Sequence, residues 1–318
     1  YASSLCGFET PWREPRPLVR AGLYWPGRET PDLATVKAEW RDGLPVAAVV
    51  FYRALVQAGN LKVIDAMVDG LRGAGLNPLP VFAASLKDPV AAAMIGEIFE
   101  KAPPDVILNA TGFSVSAPGS DRKASPFDLG TSDRPGPVVL QAVFSGGNEA
   151  DWRDGTRGLG ARDIAMNVAL PEVDGHVLSR AVSFKGSTRR DEKTQTDIIT
   201  YEPVSDRVDF VCALAARWAR LAATPCEERH VAIILANYPN KDGRLGNGVG
   251  LDSPASALNL LQALAAASYE VGTLPAKGDD LINRLAAGPT NDLTDRKDRP
   301  GGIKYPVSNY NTFFASLP

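Results

Sequence analysis

Two carboxylates and one of the chain's two histidines fall together in Leu170-Pro171-Glu172-Val173-Asp174-Gly175-His176. A carboxylate beside an imidazole can move a proton near neutral pH or hold a divalent cation, which makes Glu172 and His176 the compact catalytic candidates. The same residues also read as a turn, because Pro, Asp and Gly are turn formers and no further His or Cys stands at metal-ligand spacing. The other histidine, His230, opens an apolar run and reads as a packed or capping residue.

A longer polar stretch follows that run: Ala236-Asn237-Tyr238-Pro239, then Gly243-Arg244-Leu245-Gly246-Asn247-Gly248-Val249-Gly250-Leu251-Asp252-Ser253-Pro254. It would join the carboxyl end of a strand to the start of a helix, where open α/β sheets bind ligands, and its glycines permit close backbone approach. It lacks both the Gly-Lys-Ser/Thr ending of a P-loop and the G-x-G-x-x-G of a dinucleotide site. Asn237, Tyr238, Arg244 and Asn247 suit hydrogen bonding and charge pairing to acid and amide groups. Asp252 is a substrate-binding candidate too, although with Ser253 its ordinary role is to cap the helix that Pro254 opens. A third group is Asn109 and Thr111, after an apolar run ending at Asn109, with Gln141 inside the next run. There they could meet a ligand at a sheet edge or satisfy loop backbone groups. Arg189 to Lys193 is a mixed-charge run of the solvated kind. No nucleophile elbow, H-E-x-x-H or nucleophile with a paired base occurs.

The elements that would position these residues follow from the apolar pattern. Pro45–Tyr52, Pro80–Ala84, Asp105–Asn109 and Pro137–Phe144 are short buried-type strands, separated by helical patterns at Lys62–Arg72 and Asp88–Lys101. Leu61, Ile64, Val68 and Leu71 share one helix face. Further strands are expected at Ala165–Leu170, Ala181–Phe184, Asp197–Tyr201, His230–Leu235 and Tyr269–Thr273, and helices at Arg207–Ala223, Ser253–Ser268 and Asp279–Ala287. Alternation of this kind predicts an α/β protein with right-handed crossovers. The expected architecture is two flavodoxin-like, Rossmann-like parallel-sheet domains joined by a helix. Its parts are an irregular lead-in over 1–44, a first domain over 45–204 with a loop-rich extension, and a bridging helix with the start of a second domain over 205–318.

Composition narrows the function. A net charge of −3 and a pI near 5.6 over 318 residues argue against a nucleic-acid-binding surface. Three widely spaced cysteines fit neither a disulfide framework nor a zinc site and suit a reducing cytoplasm. No apolar run reaches the roughly 20 residues of a membrane span, and the N-terminus lacks the pattern of a basic segment followed by an apolar signal core. Tyr1 and Pro318 read as the ends of a fragment.

The motifs carry a resemblance. Leu76-Asn77-Pro78-Leu79-Pro80-Val81-Phe82, Ser85-Leu86-Lys87-Asp88-Pro89, Val168 to Gly175 and, above all, Leu235-Ala236-Asn237-Tyr238-Pro239 with Gly243 to Asp252 resemble the large subunits of aerobic-type cobaltochelatases. The large, H-type subunits of magnesium chelatases belong to the same family. The resemblance runs in order through most of the chain and implies an N-terminal portion of a much longer subunit. It implies ATP-dependent insertion of Co²⁺, as substrate, into hydrogenobyrinic acid a,c-diamide in cobalamin biosynthesis. ATP and Mg²⁺ would be used by partners, an AAA+ ATPase subunit and a second, metal-binding-type chelatase subunit. No tightly bound cofactor is expected in this portion, and which residues touch the metal stays open. Two other readings fit the residues: a non-catalytic docking arm of the chelatase, and a binding module like the periplasmic binding proteins.

Overall fold

A computed structural model describes residues 2–9, 11, 17–117, 119, 121, 124–131, 135–236, 245–290 and 298–317. The chain divides into two compact units, Tyr1–Ala223 and Thr224–Pro318.

The first unit is built on one seven-stranded sheet. Its strands are β1 (Ala21–Leu23), β2 (Val46–Tyr52), β3 (Asn77–Ala83), β4 (Val106–Asn109), β5 (Val138–Ser145), β6 (Val177–Asp191) and β7 (Thr196–Pro203). They lie in the order β1-β3-β2-β4-β5-β6-β7, with β2 to β6 parallel and β1 and β7 antiparallel at the two edges. The parallel part has the order of flavodoxin-like sheets. From β2 the chain steps outward to β3, then crosses back to β4 on the other side, so the topological switch point lies between β2 and β4. Strand β2, and β4 up to its last residue Asn109, are apolar because helices cover both faces of a parallel sheet.

β3 starts three residues before the expected Pro80, so Asn77, Pro78 and Leu79 belong to it. The carbonyls of Pro78 and Pro80 accept from the Trp40 indole (2.8 Å) and the Tyr24 amide (3.0 Å), on the side away from β2. There β1 pairs only with Val81–Ala83, so the missing proline N–H groups cost no ladder bond. The lead-in is also more regular than expected, for it supplies β1 and the helix Leu33–Lys37, capped by Asp32.

Two other expectations are corrected, and one pair of expected strands is found as parts of longer ones. Ala165–Leu170 is helical, part of a run from Ala161 to Val173 that widens into a π turn at Ala165–Ala169; its spaced apolar residues fit a helix as well as a strand. Ala181–Phe184 and Asp197–Tyr201 are parts of the long β6–β7 hairpin, whose far end takes up Arg190 to Lys193. The helix Ser205–Ala223, expected as a bridge, belongs to the first unit and packs on the helix Lys62–Gly73.

The second unit contains the helices Ser253–Ala266, Gly278–Ala286 and Val307–Ala315. The expected second parallel sheet is absent among its described residues. His230–Leu235 and Tyr269–Thr273 are irregular, with Ile234 92% exposed. The run has the composition of a buried strand, but a strand needs a neighbour to pair its backbone groups, and none lies among these residues. Among the described residues no helix is long and apolar enough to cross a membrane.

Gly70 sets the approach of the two packed helices in the first unit: a Cβ there would meet the Cys212 Sγ at 2.8 Å. Replacement by Ala improves helix propensity by about 1 kcal/mol but overpacks the contact by roughly 1–3 kcal/mol. Thermal denaturation is therefore expected to show Gly70→Ala lowering the midpoint, with Cys212→Ala recovering most of the loss; a rise in midpoint for the single variant contradicts this packing. Burial, with the Asp209 charge adding to it, pushes the Cys212 thiol up to about 12. The folded state thus disfavours the thiolate. Its contribution to stability is intact below the unfolded thiol range near about 8.5 and declines as pH rises through 12. At pH 8 iodoacetamide is expected to label exposed Cys6 and leave Cys212 untouched until denaturant is added; equal labelling of the two in native protein contradicts it.

Candidate functional site

The carboxyl ends of β2, β4 and β5 open on a crevice of about 460 Å³ at the switch point, where open α/β sheets bind ligands. Its walls come from Tyr52 at the end of β2, from Ala110, Gly112 and Phe113 after β4, and from Phe144 and Gly146 at the end of β5. Met166 and Asn167, on the π turn, close one side, and Lys185 and Tyr201, cross-strand partners in β6 and β7, close another. π turns recur at functional sites because they displace side chains from the helical register.

A buried polar network beneath the crevice fixes its floor. Asn109, Thr111 and Gln141 are at most 1% exposed and His176 is 7% exposed. The Asn109 Oδ1 accepts from the Thr111 amide (3.2 Å) and hydroxyl (2.9 Å), while its Nδ2 donates to the Thr111 carbonyl (3.2 Å) and the Gln141 Oε1 (2.8 Å). The Gln141 Nε2 donates to the same carbonyl at 2.8 Å, which fixes both amide orientations. The His176 Nδ1 lies 3.2 Å from the Gln141 Oε1. Because the Asn109 amide hydrogens are already placed, the consistent tautomer carries its proton on Nδ1 and donates to Gln141. The His176 ring stacks obliquely near Phe127, centroids 5.8 Å apart.

Above this network the loop is held from two sides. The Tyr52 hydroxyl donates to the Gly112 carbonyl (3.0 Å) and accepts from its amide (3.1 Å), and burial raises the Tyr52 phenol above its ordinary range. The Phe113 amide donates to the Met166 carbonyl at 2.7 Å. A Cβ at Gly112 would lie 2.8 Å from the Asn167 Oδ1 and 3.0 Å from the Met166 carbonyl oxygen, so a larger residue there requires the π turn to give way. Phe113 itself has φ 65 and is 46% exposed. A bulky residue in the left-handed region costs on the order of 1–3 kcal/mol, and such residues cluster at functional sites.

The charges are arranged unequally. Buried Asp163 accepts from the Ser145 hydroxyl (2.6 Å), the Gly146 amide (3.1 Å) and the Asn167 Nδ2 (3.1 Å), so its carboxylate is committed to the frame. Arg162 and Lys185 have no ion-pair partner among the described residues. The Lys185 ammonium sits 5.6 Å from the Tyr201 ring centre. Burial, then the Asp163 charge, raise the Tyr201 phenol, against the opposing charge of Arg162. Such a cleft can take an organic anion with a flat apolar body.

The candidates read from sequence are distributed as follows. Asn109, Thr111, Gln141 and His176 come together, but bonded to one another beneath the crevice. Glu172 is exposed on Leu170–Val173, apart from the network, and Asp174 accepts from the Val115 (2.5 Å) and Ser116 (3.0 Å) amides. Asp252 caps its helix through the Ala255 amide at 2.9 Å, and Asn247 is exposed in the second unit. Asn237, Tyr238 and Arg244 lie outside the described residues. That unit holds a larger cavity of about 590 Å³, but apart from Thr290 it is lined by apolar side chains and glycine, with nothing to orient a charged ligand. Sequence reading missed Phe113, Arg162, Asp163, Lys185 and Tyr201. Ser145-Gly146-Gly147, directly after a buried strand, was the available signal. Among the described residues no group of three or more His, Cys, Asp or Glu side chains is placed to hold a metal ion.

The chain is 46% identical over 327 residues to the aerobic cobaltochelatase subunit CobN of Sinorhizobium sp. and 44% identical over 317 residues to that of Pseudomonas aeruginosa, in each case across 100% of this chain and 25% of the relative. The H-type magnesium-chelatase protein of Rhodobacter capsulatus is 27% identical, over 84% of this chain and 23% of its own length. Among solved structures, the catalytic subunit of cobaltochelatase from Mycobacterium tuberculosis superposes with a TM-score of 0.72 at 27% identity, over 100% of this chain and 25% of that one. The chain thus spans about a quarter of the length of these cobaltochelatase relatives. With the CobN/Magnesium Chelatase family model matching residues 1–318, the chain belongs to that family.

Proposed function

We propose that this chain works as part of the macrocycle-carrying large subunit of an ATP-dependent aerobic cobaltochelatase, which inserts Co²⁺ into hydrogenobyrinic acid a,c-diamide in cobalamin biosynthesis in the cytoplasm. The observation that supports cobalt over magnesium is the 46% and 44% identity to two aerobic cobaltochelatase subunits across the whole chain, against 27% for a magnesium-chelatase relative. No P-loop occurs in the sequence, which is consistent with ATP and Mg²⁺ being handled by partners: an AAA+ ATPase subunit and a second, metal-binding-type subunit.

Chelation needs a base for the two pyrrole-type protons and a partly dehydrated cation presented to the macrocycle face. Glu172 is the stronger base candidate in this chain, because it is exposed and has no hydrogen-bond partner for its carboxylate among the described residues. His176 has a different part, since its Nδ1 proton is spent on Gln141 and its ring is buried. Asn237, Tyr238, Arg244 and Asn247 would hold acid and amide groups of the macrocycle, while Asp252 caps its own helix.

A chimera tests this reading. These residues replace the matching quarter of the Sinorhizobium subunit, and the assembled complex is supplied with ATP, Co²⁺ and hydrogenobyrinic acid a,c-diamide. The expected outcome is retained cobalt insertion without acquired insertion of Mg²⁺ into a porphyrin. A chimera that folds and assembles but inserts no cobalt contradicts it.

A further inference from the structure

The switch-point crevice has features that its structural roles leave unused. Asp163, Ser145, Asn167 and Tyr52 are consumed in shaping it. Arg162 and Lys185 are not: both are exposed at its rim and neither has an ion-pair partner among the described residues. Two cations face one carboxylate that is already turned inward, so the open side of the crevice is net positive. Part of its wall, by contrast, is aromatic. The Phe144 and Tyr201 rings lie 5.8 Å apart, centre to centre, and Phe113, at positive φ, is 46% exposed beside them. A cleft with an aromatic wall and unpaired cations at its lip matches a conjugated ring system edged with carboxylates.

We propose that this crevice grips one carboxylate-bearing edge of the macrocycle, with Arg162 and Lys185 as the charge partners of the carboxylate and Phe113, Phe144 and Tyr201 as the wall along the ring edge. The assignment rests on the proposed reading of this chain as part of a macrocycle-carrying subunit. A volume of about 460 Å³ lies toward the small end of ligand pockets, which run to roughly 1,000 Å³. The crevice therefore takes an edge and leaves the ring nitrogens, where the metal enters, outside. Its function is to orient the macrocycle.

The test is a titration of the full chain with the substrate macrocycle, followed by tryptophan quenching and macrocycle absorbance. A second arm uses the same macrocycle with its carboxylates converted to amides. Arg162→Gln and Lys185→Gln remove charge from exposed side chains, and Lys193→Gln, at the far end of the hairpin, is the control; unchanged thermal midpoints establish that all three fold. Loss of a charge-assisted bond corresponds to roughly tenfold in affinity. The proposal expects that loss in each crevice variant, no change in the control, and equally weak binding of the amidated macrocycle to every form. Salt should weaken the wild type more than either crevice variant. Absent binding, or binding with the same affinity in all forms, overturns it. The two claims fail separately: an active chimera with a charge-indifferent titration removes the crevice and keeps the cobaltochelatase reading. An inactive chimera with a charge-dependent titration does the reverse.

Discussion

The first unit depends on how the chain leaves β4. After Asn109 the backbone must exit a fully buried sheet, and a buried backbone or amide group left unpaired costs about 1–3 kcal/mol. Asn109, Thr111, Gln141 and His176 solve this by pairing with one another. Two amide side chains converge on one carbonyl, that of Thr111, from β4 and β5. This ties the ends of two neighbouring strands to His176, the residue just before β6, in one unit. In a low-dielectric interior such a network is strong when every member is satisfied and costly when one is lost.

The crevice follows from that constraint. With Thr111 fixed, Gly112 and Phe113 are carried out over the sheet's carboxyl edge, where the Tyr52 hydroxyl and the Met166 carbonyl hold them. The π turn brings Met166 and Asn167 to the loop, and Asp163, one turn earlier, binds the end of β5 through Ser145 and Gly146. The walls are thus set by strand ends and one distorted helix. Charge is added only at the rim, by Arg162 and Lys185, where it is hydrated and available. Rigid floor and adaptable rim is the arrangement expected of a preformed ligand site.

The sequence displays the parallel core plainly. Val46–Tyr52, Val106–Asn109 and Val138–Ser145 are mostly aliphatic runs that a sheet covered on both faces can bury, and the helix Lys62–Gly73 carries one apolar face. The start of β3 was hidden because proline reads as a breaker unless one knows that its neighbour strand is short. His230–Leu235 misled in the opposite direction: its composition is that of a strand, and composition says nothing about whether a partner lies beside it. The polar residues after β4 and β5 were visible as a group, but whether they point at a ligand or at each other depends on the register of β4 against β5, which pairs Asn109 with Gln141. Arg162, Lys185 and Tyr201 come from three separate elements and carry no local motif.

The buried network makes the crevice floor a rigid part of the sheet. Native-state amide hydrogen exchange, read at Ala110 to Phe113 and at Gly146, tests this most directly, since protection there requires the loop to open only when the sheet opens. The account predicts protection comparable to that of β4 and β5 themselves, and its loss at Ala110 to Phe113 in Asn109→Leu. Exchange at these amides as fast as in the exposed hairpin end near Lys193, in the wild-type chain, would contradict it.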